Sequence, residues 1–119
     1  MRARPRIIAV AALVFAASAV PGAAHHGWSG YDSTRELTLT GVIREAGYEH
    51  PHGHVRLEVS GKVWSVVLAP PTRMDRRGLP ASMLRVGVTA TVVGYPHRSV
   101  ADELRAERIT IDGKTVALR

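Results

Sequence analysis

The stretch "EHPHGHV", residues 49 to 55, sets His50, His52 and His54 two apart along the chain. Neutral imidazole is a nitrogen donor for copper, zinc and nickel, and it changes charge near neutral pH. A second pair, His25 and His26, stands in "AAHHGW", and the remaining histidine, His97, in "GYPHRS". If His25 becomes the first residue of a processed chain, its α-amine and ring Nδ1 can close a chelate on one ion. His52 and His54 stand at the entrance of a predicted strand, where side chains two apart leave the same face, a workable spacing for two ligands. The candidate metal ligands are therefore His25, His26, His52, His50 and His54, with His97 the weakest because it stands alone. The alternative is that these are polar loop and hairpin-entrance residues that need no ligand.

The missing donors narrow the metal. There is no cysteine, and Met74 and Met83 are isolated, which argues against thiolate sites and against a sulfur-rich Cu(I) site. Nitrogen-ligated Cu(II) is favoured, with Zn(II) as the other option. Asp32 and Glu49 could brace ring N–H groups from outside the ligand set, but they read equally as loop residues. No Gly-rich phosphate loop, nucleophile elbow or acid pair is present, so the balance is against an enzyme. A copper redox enzyme built on an N-terminal His chelate is the catalytic alternative.

The elements that must hold these residues begin after a leader. "MRARPRIIAVAALVFAASAVPGAA" carries Arg2, Arg4 and Arg6, then an apolar run from Ile7 to Ala17, then small residues with Pro21 and Gly22. That is the pattern of a Sec-type signal peptide over 1–24, too short to span a bilayer and leaving no membrane anchor once removed. Cleavage after Ala24 is preferred to cleavage after Ala19, and the expected location is periplasmic or secreted. Of 16 basic residues three lie in the leader, so 13 against 10 acidic leave about +3 rather than the formal +6. With few aromatics, that charge offers no funnel or stacking stripe for nucleic acid.

After an arm over 25–35, strand patterns dominate the expected barrel domain, 36–119. "ELTLTGVIREAGY" alternates Leu37, Leu39 and Ile43 around Gly41, which marks a bulge or bend. "HVRLEVS" and "VWSVVLA" form a hairpin with Val55, Leu57 and Val59 inward. Residues 72–77 form a short helical connector stopped by Gly78. "VTATVVGY" and "LRAERITI" follow, and Asp112-Gly113 turns the last strand into a tight hairpin. The fold class is all-β, a five- to six-stranded OB-like Greek-key barrel with a short helical connector, and a small β-sandwich is the alternative. Trp28 and Tyr31 are expected to pin the arm to the barrel and Trp64 to fill the core. The basic run Arg73 to Arg77 reads as a solvated face.

Three motifs together resemble the small exported bacterial proteins of the domain of unknown function family 6152. "HHGWSGYD" is similar to that family's double-His, aromatic, aromatic-Asp opening, "LTGVI" to its first-strand Gly motif, and "HPHGHV" to its Asn-Pro-His motif. Pro70, Gly78, Gly87, Gly94, Pro96 and Gly113 fall where the family places turn residues. The resemblance implies export and a small β-barrel, and carries over His25, His26 and His52. His50 stands where the family usually has Asn, and His54 where it often has an aromatic, so these two are additions of this chain. The expectation is a monomeric exported barrel that binds a divalent metal. The alternative is a metal-free module that binds an envelope protein or a small molecule.

Overall fold

The computed structural model describes residues 2–3 and 27–119. Six strands run in chain order: β1 (Leu37–Gly47), β2 (His54–Val59), β3 (Lys62–Val67), β4 (Thr89–Pro96), β5 (Glu103–Ile111) and β6 (Lys114–Ala117). Between β3 and β4 lies one short helix, α1 (Pro71–Arg76). The sheet order is β3-β2-β1-β4-β5-β6, and β3 also pairs with β5 in parallel, which closes the first five strands into a barrel. The expected all-β barrel with a helical connector is the fold observed. Among the described residues no helix is long and apolar enough to cross a membrane.

Local chemistry explains the corners. The β2–β3 and β5–β6 hairpins turn on Ser60-Gly61 and Asp112-Gly113, each pair at positive φ, the geometry whose twist matches antiparallel strands. Gly41 lets β1 pass against β2: a Cβ there would collide with the Glu58 carbonyl. A register shift between Ile43 and Glu45 adds to the bend, so one long strand pairs with β2 along one half and β4 along the other. Ile43, Leu57, Val66, Val92, Leu104 and Ile109 are the centre of one apolar core. Trp64 packs against that core only in part, and the Lys62 ammonium lies 4.6 Å from its ring centre.

Helix α1 seats Met74 in the core. Its basic run is not merely a solvated face. Arg73 Nη1 donates to Leu118 O at 3.1 Å, and Arg77 Nη1 donates to Ala117 O at 2.7 Å and Arg119 O at 3.0 Å, strapping the connector to the last strand.

Leu57 is fully buried on β2 while its neighbour Arg56 is exposed. Leu57→Asp should unfold the domain, since an unpaired buried carboxylate costs about 4 kcal/mol or more, whereas Arg56→Asp should keep a near-normal urea midpoint. Equal loss from both would mean the two faces of β2 are reversed.

Candidate functional site

Arg105, on β5, is the only charged residue among the described ones that is almost fully buried, at 6% exposure. It sits beneath the arm. Its Nη1 donates to Gly27 O at 3.0 Å, and its Nη2 lies 3.4 Å from His52 Nε2. A guanidinium can only donate, so Nε2 of His52 accepts. The Cζ atom lies 4.5 Å from the centre of the Trp28 ring and 5.9 Å from that of Tyr31. Among the described residues its Nε has no hydrogen-bond partner, and no carboxylate stands at ion-pair distance from it. Burial depresses its pKa, Tyr31 opposes that, and the charges of Arg73 and Arg119 add to the depression. Arginine is basic enough to stay charged through this. One buried cation is thus held by a carbonyl, an imidazole nitrogen and two aromatic faces, all of which offer negative potential.

The arm is fastened as well as stacked. Residues Trp28–Gly30 make a single 3-10 turn, after which Tyr31 bridges to His97 as one antiparallel pair. Asp32 N donates to Pro96 O at 2.8 Å, and Arg98 N donates to Gly30 O at 2.9 Å. The Tyr31 hydroxyl donates to Glu103 Oε2 at 2.8 Å, and its ring meets the His97 ring edge-on at 5.1 Å. Nδ1 of His97 accepts from the backbone N–H groups of Ser99 at 3.1 Å and Val100 at 2.9 Å. Trp28 also meets Tyr95 edge-on and takes the Arg119 guanidinium at 4.7 Å from its ring centre. Trp28 and Tyr31 therefore pin the arm to the barrel.

His52 is held in place by its neighbour. Gly53 N donates to Ala69 O at 2.9 Å, and Leu68 N donates to Gly53 O at 2.8 Å, so the backbone beside His52 is bound on both sides to the end of β3. Gly53 is buried against Met74 of α1, with little space for a side chain. His54, in contrast, lays its ring over Gly47 of β1, and His50 is exposed beside the cis His50–Pro51 peptide. Strand β2 begins only at His54, so the alternation that would align His52 with it does not yet apply. Among the described residues no three His, Cys, Asp or Glu side chains come together to hold a metal. His25 and His26 lie outside the described residues, as does the expected leader cleavage.

Of the outer candidates, Asp32 accepts from Thr34 N at 3.0 Å and Thr34 Oγ1 at 2.6 Å, closing a local turn that lowers its pKa. Sequence reasoning missed Arg105, and it gave His97 too small a part. No local pattern announces the first, because Arg105 sits at an outward position of β5 that is covered by the arm, 78 residues earlier, and by His52.

These features define a class: a small closed β-barrel with an N-terminal arm strapped over a buried arginine. The chain belongs to the family of unknown function DUF6152, whose model matches residues 12–104. No curated protein matches it. Among solved structures it is similar to the crystal structure of TiaS in complex with a tRNA and ATP, at 20% identity and a TM-score of 0.51, over 68% of this chain and 19% of that one. It is also similar to a ZRD-deleted mutant of TiaS in complex with agmatine, at 19% identity and a TM-score of 0.53, over 73% of this chain and 27% of that one. The chain thus matches only a small part of those proteins, and the likeness is one of fold alone.

Burial, the Glu103 hydrogen bond and the Glu103 charge all raise the Tyr31 pKa, outweighing Arg105. Its neutral form is favoured in the folded state, so this stabilisation is complete below about pH 10, where an unfolded tyrosine is neutral, and is lost as pH rises further. Tyr31→Phe should lower stability at pH 7 by about 1.5–3 kcal/mol, the usual worth of a hydrogen bond to a charged group, and should flatten the alkaline fall in urea midpoint. An unchanged midpoint at both pH values would show that the latch contributes nothing.

Proposed function

We propose that this protein is an exported barrel that binds one divalent transition metal, Cu(II) in preference to Zn(II), through His25 and His26 of the arm together with His52. The single observation that carries this is the Arg105 guanidinium, which bonds Gly27 O with one terminal nitrogen and faces His52 Nε2 with the other. Gly27 directly follows His26. Along the chain His26 is one residue and His25 two residues before Gly27, whose carbonyl holds a group that also touches His52. The donors around the guanidinium, an oxygen and an imidazole nitrogen, are of the kinds that suit a small cation.

Removal of the leader after Ala24 makes His25 the first residue and adds its α-amine to the ligand set. His50, which is exposed, and His54, whose ring lies over Gly47, are accessory to the site rather than part of its centre. A metal does not share Nε2 with the guanidinium. Like unit charges 4 Å apart repel by about 4 kcal/mol at an effective dielectric of 20, and a dication doubles that. The metal takes the place of Nη2. A second reading is favoured by the same contact: donors already satisfied by Arg105 need no metal, and the barrel is then a metal-free module for an envelope protein or small molecule.

Isothermal titration decides between them. Protein beginning at His25 should bind one Cu(II), more tightly at pH 7 than at pH 5, because ligating imidazoles must first lose their protons. Five residues added before His25 should weaken binding on the order of tenfold or more, and so should His52→Ala. The two losses should not add, since ligands of one ion act as a unit. Weak binding that neither change alters would leave the metal-free module as the function.

A further inference from the structure

We propose that the edge of the Arg105 guanidinium formed by Nε and Nη2 is a binding site for the carboxylate of a small organic acid. The inference goes beyond the metal reading and does not depend on it. The other terminal nitrogen is occupied, since Nη1 donates to Gly27 O at 3.0 Å. Along the remaining edge, Nη2 makes a long approach of 3.4 Å to His52 Nε2, and the buried Nε has no partner among the described residues. Few buried donors in native proteins lack an acceptor, and a bound ligand is one way in which such a donor is satisfied. The two nitrogens of that edge donate in one plane, at the spacing where both oxygens of a carboxylate accept in parallel.

The charge around this edge is positive. Arg105 is 6% exposed and has no carboxylate at ion-pair distance among the described residues. The charges of Arg73 and Arg119 are near enough to lower its pKa. Arg119 shares the Trp28 ring with it, at 4.7 Å from the ring centre against 4.5 Å for Arg105. Arg119 is answered by Glu107 at 3.5 Å, whereas Arg73 donates to Leu118 O and has no carboxylate at ion-pair distance among the described residues. An anion entering here reduces the cost of keeping the Arg105 charge out of water.

The donors select the ligand. One guanidinium edge takes two oxygens and one negative charge, which a carboxylate supplies in full. A phosphate brings two further oxygens, while Arg73 and Arg119 are already engaged with Leu118 O and Glu107. A carboxylate at this edge replaces His52 Nε2 on Nη2 and gives Nε its acceptor. It leaves the Gly27 bond in place, so the arm stays fastened.

The test uses the chain beginning at His25 in metal-free buffer at pH 7 and follows the Arg105 Nε–H resonance, assigned by through-bond correlation along the side chain. Sodium acetate and sodium benzoate should each move that resonance saturably, at lower concentration than sodium phosphate or sodium chloride of matched ionic strength. In calorimetric titrations Arg105→Lys, which keeps the charge and loses the fork, should bind benzoate about tenfold or more weakly than wild type. Wild-type resonance data alone decide the matter if that variant does not fold. An Nε–H resonance that acetate and benzoate leave in place overturns the proposal, as does one that phosphate or chloride moves at equal or lower concentration. Neither result bears on metal binding, because no metal is present.

Discussion

A buried positive charge with no carboxylate beside it among the described residues is the constraint around which this barrel and its arm are arranged. Taking a guanidinium out of water is costly unless its donors and its faces find partners. Arg105 finds them in two separate parts of the chain: Gly27, Trp28 and Tyr31 of the arm, and His52 at the entrance to β2. Each partner needs its own support. The Tyr31–Glu103 bond and the backbone pairing with His97 hold the arm, and the Gly53 contacts to the end of β3 hold His52. The barrel supplies the frame, because closure of β3 onto β5 pairs Arg105 with Val67, and Val67 pairs in turn with His54, two residues beyond His52.

Much of that frame is legible in the sequence. The alternation of Val55 and Leu57, the Asp112-Gly113 hairpin and the bend at Gly41 all rest on local rules of sheet geometry, and each appears as expected. The pinning role of Trp28 and Tyr31 follows from their size and their place in an otherwise polar arm. The expectation for Trp64 holds only in part: it packs against the edge of the core while half-buried, and Lys62 lies over its ring.

What the sequence does not disclose is set by contacts far apart along the chain. Arg105 lies in "LRAERITI", where alternation marks it as solvent-facing, and its burial is produced by an arm from the opposite end of the chain. His97 is in a loop and looks solitary, yet its backbone and ring anchor Tyr31. Arg73 and Arg77 read as a charged surface, but their guanidinium groups satisfy carbonyls at the end of the last strand. In each case a side chain or backbone group reaches across the fold to a residue far away along the chain. Periodicity, which reports only which face a residue occupies, cannot register such a reach.

The central claim is that the arm and His52 meet on one ion, and the ligands themselves can be counted. Pulsed electron paramagnetic resonance of the chain beginning at His25, loaded with one Cu(II), reports the imidazoles bound in the equatorial plane of the metal. The account predicts modulation from imidazoles of both the arm and His52, with one imidazole fewer in His52→Ala. Identical spectra from wild type and His52→Ala would contradict it, and would reduce the site to a local chelate of the arm.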